Sequence, residues 1–259
     1  MSQDLIANNQ KEYKRLGSII NDGRLAGLID WDAIEDRTRS LEELPSWESP
    51  GDIIASAASS FRLDKWEDQH YRVECWVEKQ ALAGVFENAC RPLQVATFAC
   101  RGYVSQSEMW AAAQRLRRYE KLGKETVILH FGDHDPSGID MTRDITDRLK
   151  LFGCKADVSR VALNMKQIEE YQPPPNPAKD SDARFAGYRE QFGDQSWELD
   201  ALEPRVLREL IELRVLQCRD EERWRVQVAR ERQQRTLLED CSDGWNAIVV
   251  PALTNAEEE

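Results

Sequence analysis

The clearest structural signal in this chain is the stretch V-I-L-H-F-G-D-H-D-P-S-G at residues 127–138. Its apolar and β-branched first half predicts a buried strand, and a helical pattern begins directly afterwards at Ile139. Asp135 suits the N-cap of that helix, and Pro136 suits its first helical position. The stretch therefore indicates a strand that ends at two aspartates and turns at once into a helix.

Strand and helix patterns alternate on both sides of this stretch. Strands are predicted at 72–78, 93–100, 126–132 and 156–163, and helices at 79–90, 105–122 and 139–152. Such alternation is typical of βαβ units, which form a parallel sheet with helices on both faces. The predicted fold class is therefore α/β, with the sheet domain at 69–170.

The two ends of the chain are predicted to be helical. The N-terminal region, 1–68, has helical patterns at 3–29 and 52–68 and a short extended piece at 29–31. The C-terminal region, 171–259, begins with a proline-rich loop at 172–182 and continues as a long helical stretch at 203–239. The N-terminal pattern suggests part of a winged helix.

Composition limits the classes of function. The chain has 259 residues and a net charge of −12, which argues against indiscriminate binding of nucleic acid. Charge is segregated, however, since residues 101–124 contain six basic side chains and only two acidic ones. There is no long apolar run for a membrane span and no secretory signal, and the six cysteines form no C-x-x-C pair. We predict a cytoplasmic protein with buried, reduced thiols and no membrane partner.

Three acids follow predicted strands. Glu78 ends the first strand, and Asp133 and Asp135 end the third. If these strands are neighbours in a parallel sheet, the three carboxylates meet at one edge and offer hard oxygen ligands for Mg²⁺ or Mn²⁺. Glu78 is alternatively a general acid or base, and a D-x-D pair by itself also occurs in solvated turns.

The motifs resemble a known family. V-E-K at 77–79, C-R-G-Y at 100–103 and G-D-H-D-P-S-G at 132–138 are similar to the Toprim domain of topoisomerases, primases and several nucleases. The form of the D-x-D motif is most similar to the topoisomerase VI A subunit and its meiotic double-strand-break relatives. E-L-D-A-L at 198–202 resembles a C-terminal segment of the same group, so the resemblance spans about residues 71–205.

The resemblance implies a function. Glu78, Asp133 and Asp135 match the metal-binding acids of the family, and we expect a Mg²⁺-dependent protein that binds DNA and cleaves phosphodiester bonds. Arg101, on the same edge, is expected to hold a phosphate or to pair with Glu78. The family implies a homodimer. The alternative is a non-catalytic DNA-binding or assembly subunit with a structural metal, which would need a partner protein for cleavage.

One departure favours that alternative. The topoisomerase-like proteins carry a nucleophilic tyrosine in a winged-helix domain, but the only early tyrosine here is Tyr13, which we interpret as a half-buried helix residue. Residues 10–39 resemble the later part of a winged helix, so a tyrosine-bearing helix is expected to be missing.

Several polar residues near the motifs have simpler roles. We predict that His130 is a packed strand residue and that His134 is directed away from the aspartates between which it lies. Ser105 is expected to cap a helix, and Glu198 and Asp200 are candidates for outer acids near the metal.

Overall fold

The computed structural model describes residues 10–34 and 44–245. Four parallel strands form the central sheet: β1 (Tyr71–Val77), β2 (Ala96–Ala99), β3 (Glu125–Phe131) and β4 (Asp157–Ala162). Their order across the sheet is β2-β1-β3-β4. The prediction of a parallel α/β sheet is confirmed, although β2 is shorter than the pattern at 93–100 suggested.

Helices surround the sheet and extend beyond it. They are α1 (Gln10–Leu25), α2 (Pro50–Ser60), α3 (Ala83–Cys90), α4 (Gln106–Lys121), α5 (Pro136–Leu151), α6 (Met165–Tyr171), α7 (Phe185–Phe192), α8 (Pro204–Cys218) and α9 (Glu221–Gly244). The short strands β5 (Asn176–Pro177) and β6 (Gln195–Ser196) pair antiparallel. Within the described ranges, no helix has the combination of length and apolarity that a membrane span requires.

The sheet is buried on both faces because successive strand residues point in opposite directions. Cys75 and Leu129 face one core, to which α3, α6 and α8 contribute, and Trp76 and Ile128 face the other, to which α4 and α5 contribute. A sheet covered on both sides exposes its strand ends as the natural place for a ligand.

The N-terminal region is helical but departs from the expectation in three places. Trp31–Ala33 forms a 3₁₀-helix where an extended piece was predicted, and α2 ends at Ser60, well before residue 68. Tyr13 lies on α1, but it is 78% exposed and not half-buried, since no side chain of α1 is buried. Residues 10–34 and 44–68 contain no strand. The winged-helix resemblance stays a prediction, and residues 1–9 and 35–43 lie outside the described part.

The C-terminal helical region is confirmed, but it consists of two helices because the chain turns at Arg219 and Asp220. Asp220 caps α9, since its side chain accepts hydrogen bonds from the amides of Glu222 and Arg223. The region also contains α7, which the sequence patterns did not indicate. α8 supplies Leu207, Ile211 and Val215 to the core beneath the sheet.

The cysteines largely follow the prediction. All six are free thiols, and Cys75, Cys90, Cys100 and Cys154 are buried. Cys218 is only partly buried and Cys241 is exposed, because both lie on the C-terminal helices rather than in the sheet domain.

Candidate metal centre at the carboxyl edge of the sheet

The candidate site lies between β1 and β3, where the topology of the sheet reverses. The chain leaves β1 towards β2 and leaves β3 towards β4, in opposite directions across the sheet. Ligands of open α/β sheets bind in the crevice at such a switch point. Val77 pairs with Phe131, so Glu78 and Asp133 come from neighbouring strand ends, as predicted. Glu78 Oε2 accepts a hydrogen bond from the Asp133 amide at 2.9 Å.

Asp133 is the most buried acid of the site, with 6% exposure. Its Oδ1 accepts a hydrogen bond from the Leu199 amide at 2.7 Å, and its Oδ2 lies 3.2 Å from Nζ of Lys79. Burial raises the pKa of Asp133 to about 7, the Leu199 amide opposes that shift, and the charge of Glu78 adds to it. A cation beside this carboxylate would favour its charged form.

Asp135 caps α5, as the sequence predicted. Its Oδ1 accepts hydrogen bonds from the Gly138 amide at 2.6 Å and from the Ser137 hydroxyl at 2.9 Å. These bonds fix the carboxylate at the helix N-terminus, where negative charge is stabilised.

Glu78 lies beside two glycines that leave room for its carboxylate. A Cβ on Gly132 would lie 2.8 Å from Glu78 Oε2, and a Cβ on Gly138 would lie 3.1 Å from the same atom. Burial raises the pKa of Glu78, although the hydrogen bond from the Asp133 amide lowers it, and the charge of Asp135 raises it further. The geometry leaves both roles of Glu78 open, as a ligand and as an acid or base.

A closely spaced group of acids forms around Asp133. The ligand oxygens of Asp133, Glu198 and Asp200 all lie within 4.8 Å of one another. Over residues 10–34 and 44–245 no other group of three potential ligands is as close, so Glu78 and Asp135 line the same edge without joining a group of this kind. Three hard carboxylate ligands suit a divalent cation such as Mg²⁺ or Mn²⁺. This acidic group could therefore bind a metal ion.

Lys79 occupies the centre of this group. Its Nζ lies 3.2 Å from Asp133 Oδ2 and 2.9 Å from Asp200 Oδ1, and it also contacts Glu198 Oε2. Burial by itself would lower the pKa of Lys79, but the hydrogen bonds to Glu198 and Asp200 outweigh it and raise the pKa. The ammonium thus balances part of the negative charge that converges here.

The segment that carries Glu198 and Asp200 is attached to the D-x-D turn through His134. The backbones of His134 and Trp197 form an isolated antiparallel bridge. The His134 ring packs edge-on against Tyr188, Phe192 and Trp197, and its Nδ1 lies 2.8 Å from the Tyr188 hydroxyl. His134 is therefore directed away from the acids, as predicted, and its role is to hold the C-terminal segment over the site.

Arg160 of β4 supports the same turn, and the sequence patterns did not single it out. Its guanidinium donates to the carbonyl oxygens of Gly132 at 3.0 Å, Asp133 at 2.6 Å and Gly138 at 2.8 Å. Burial lowers the pKa of Arg160 to about 10, although the negative charges of Glu78, Asp133 and Asp135 raise it in part. The one available signal was a basic residue inside a predicted strand, directly before its apolar end at 161–163.

The basic side chains that the sequence singled out lie at two different edges of the sheet. Arg101 lies exposed at the same edge as the acids, where its Nε donates to Gln80 Oε1 at 2.8 Å, so it pairs with Gln80 and not with Glu78. The basic stretch 115–124 runs along α4 towards the start of β3, at the opposite edge. Arg115 there binds the buried Glu74 at 2.8 Å, and Nζ of Lys124 donates to the Trp66 carbonyl at 2.9 Å.

Comparison of the chain with protein-family models, with curated proteins and with solved structures found no match. The class of protein is therefore stated from the fold and the site alone. The chain is an α/β protein with a parallel sheet whose switch point carries an acidic group able to hold a metal ion.

Proposed function

We propose that this chain is a divalent-metal-dependent, DNA-acting protein of the Toprim type, similar to the topoisomerase VI A subunit. One observation carries the proposal. Asp133, Glu198 and Asp200 form a compact group of carboxylates beside Glu78, at the switch point between β1 and β3. Two of the sequence motifs that resemble the family lie at this same place, since V-E-K begins at the last residue of β1 and G-D-H-D-P-S-G follows β3 directly.

The metal that we propose is Mg²⁺ or Mn²⁺, held by Asp133, Glu198 and Asp200. When bound, such an ion polarises a phosphodiester and stabilises the charge that develops on it. The chain's own residues orient the ligands. The Leu199 amide holds Oδ1 of Asp133 at 2.7 Å and leaves Oδ2 directed towards the group. Glu78 stands behind Asp133 and is our candidate for moving a proton, because its pKa is raised.

DNA is the proposed substrate, and Arg101 is the proposed phosphate contact at this edge. Its side chain is exposed and its guanidinium is anchored by Gln80, so the remaining donors are available to a phosphate oxygen. The basic stretch 115–124 lies at the other edge and is not part of this contact. A homodimer, which the family resemblance implies, is proposed as the working assembly.

A second candidate is a non-catalytic DNA-binding or assembly subunit, which acts with a partner protein. The contacts of Lys79 favour it. Its ammonium already offsets part of the negative charge of the three carboxylates, so the group is partly compensated without a metal. Tyr13 gives no support for a phosphotyrosyl mechanism by itself, because nothing places its hydroxyl near the acids.

The test has two stages. First, Mn²⁺ binding to the chelator-treated chain is measured by calorimetry, with Asp200→Asn and Asp133→Asn as site variants. Asparagine at 133 keeps an oxygen that can accept from the Leu199 amide, so we expect this variant to fold. Asp147→Asn is the matched control, since it removes the same charge from the exposed face of α5. We expect the two site variants to lose Mn²⁺ affinity and the control to keep it.

The second stage incubates supercoiled plasmid with the chain and Mg²⁺ or Mn²⁺, with EDTA and the same variants as controls. Nicked or linear DNA that requires both the metal and Asp133 would establish a nuclease that needs no tyrosine. Metal binding without cleavage would favour the assembly subunit. No metal binding by the wild-type chain would refute the metal centre.

A further inference from the structure

We propose that Lys79 is an internal counter-ion of the acidic group, which a divalent cation must displace, so that metal binding releases the Lys79 ammonium to solvent. The inference rests on the proposed metal centre and adds a device that regulates it. In this scheme the site exists in two alternative states. One is closed by the lysine, and the other is occupied by metal with the lysine released.

The geometry makes the two occupants mutually exclusive. Nζ of Lys79 contacts one oxygen from each of Asp133, Glu198 and Asp200, and these are the acids whose ligand atoms lie within 4.8 Å of one another. A metal bound by the same three oxygens would stand at about 2.0–2.6 Å from each of them. Two cations held by the same three oxygens would repel each other strongly at such a short separation, so the metal takes the place of the ammonium.

The balance of charge sets the direction of the effect. Without a cation, three carboxylates repel one another at this spacing, and the lysine relieves part of that repulsion. An incoming Mg²⁺ or Mn²⁺ carries twice the charge, but it must break three charge-assisted contacts and lose part of its own hydration. Lys79 therefore lowers the affinity of the site for metal and raises the stability of the metal-free chain.

The backbone around Lys79 allows the side chain to move alone. The Glu78 amide donates to the Phe131 carbonyl at 2.9 Å, and the Leu82 amide donates to the Lys79 carbonyl at 3.2 Å, so the main chain is held on both sides. The lysine side chain is 23% exposed and consists of a flexible stem. Rotation of that stem brings the ammonium to solvent without any change in the sheet.

Substitution of Lys79 gives the first test. Lys79→Met keeps an unbranched, flexible side chain and removes its charge, whereas Lys79→Arg keeps the charge. We expect Lys79→Met to bind Mn²⁺ roughly tenfold more tightly than the wild type, and Lys79→Arg to stay close to the wild type. Lys155→Met is the matched control, because Lys155 is exposed at the opposite edge of the sheet. In EDTA, Lys79→Met should melt at a lower temperature than the wild type, and Mn²⁺ should stabilise it more.

Amine labelling of the wild-type chain gives a second test that needs no variant. The chain is acylated briefly with and without Mn²⁺, and the labelled lysines are identified by mass spectrometry. We expect the reactivity of Lys79 to rise with Mn²⁺, while that of the exposed Lys150 stays constant.

The outcomes separate this inference from the proposed metal centre. Mn²⁺ binding by the wild type, with unchanged Lys79 reactivity or with wild-type affinity in Lys79→Met, would overturn the inference and leave the metal centre intact. Binding by Lys79→Met alone would also overturn the inference, since metal would then not displace the lysine of the wild type. Absence of binding by both chains would refute the metal centre itself.

Discussion

The amide of His134 donates a hydrogen bond to the Trp197 carbonyl at 2.8 Å, and the amide of Trp197 donates one to the His134 carbonyl at 3.0 Å. This bridge joins the D-x-D turn to the segment that carries Glu198 and Asp200. The acidic group depends on it, because two of its three members come from a segment more than sixty residues further along the chain.

The Tyr188 hydroxyl strengthens this attachment, and its removal should loosen the site. Its oxygen lies 2.9 Å from the carbonyl oxygens of His134 and Gln195, which share its one proton as acceptors, and 2.8 Å from His134 Nδ1. We expect Tyr188→Phe to lower the free energy of unfolding by about 1–2 kcal/mol, because the buried carbonyl and ring nitrogen of His134 lose a hydrogen-bond partner. Urea denaturation measures the change. The same variant should bind Mn²⁺ more weakly.

The control for Tyr188 is Tyr13→Phe, which removes the hydroxyl of an exposed tyrosine on α1. It should leave both the free energy of unfolding and Mn²⁺ binding at wild-type values. Equal behaviour of the two variants would mean that the Tyr188 hydroxyl does not hold the segment.

Gly138 is required by a close approach of the backbone. A Cβ there would lie 2.2 Å from the Asp133 carbonyl oxygen, which cannot move without a shift of the turn. We expect Gly138→Ala to lower the free energy of unfolding by about 2–3 kcal/mol. Gly187→Ala is the contrasting variant on α7, where a Cβ meets nothing within 4 Å. It should raise the free energy of unfolding by about 0.5–1 kcal/mol, since alanine favours a helix. Destabilisation by both would contradict the steric argument.

Arg160 should hold the D-x-D turn in position and contribute strongly to the free energy of unfolding. Its guanidinium binds the carbonyl oxygens of Gly132, Asp133 and Gly138 inside the fold. Arg160→Gln leaves these oxygens without their charged donor, and we expect a loss of about 3 kcal/mol in the free energy of unfolding. Arg143→Gln, on the exposed face of α5, should change it by less than about 0.5 kcal/mol. A small effect at Arg160 would show that water replaces the guanidinium.

His130 should make stability depend on pH. The ring is buried between Thr142, which it contacts at 2.8 Å, and Arg160. Burial, and then the positive charge of Arg160, lowers its pKa to about 3, whereas in the unfolded chain the pKa is about 6.5. Below about pH 6.5 the unfolded chain binds the extra proton, so the folded state loses stability as the pH falls towards the folded pKa.

The free energy of unfolding should fall by about 2 kcal/mol between about pH 7 and about pH 5 because of His130. Urea denaturation of wild type and His130→Gln at several pH values measures it, and the variant should show the shallower dependence. His70→Gln is the control, since the side chain of His70 is 59% exposed. Parallel pH profiles for wild type and His130→Gln would contradict the prediction.

The sequence determined the elements that depend on near neighbours. The apolar run of β3, the capping of α5 by Asp135 and the capping of α4 by Ser105 were all predicted, because each is fixed by contacts within a few residues. The break between α8 and α9 was missed, since Arg219 and Asp220 fit a helical pattern that continues on both sides.

The tertiary structure decided which acids come together. The sequence placed Glu78, Asp133 and Asp135 at strand ends, but it could not fix strand order, which depends on how helices cover the two faces of the sheet. It indicated Glu198 and Asp200 only as outer acids, and it could not show that their oxygens lie within 4.8 Å of that of Asp133 or that Lys79 contacts all three. Those contacts arise from the bridge at His134 and from the packing of α7, which bring together residues that no local pattern connects.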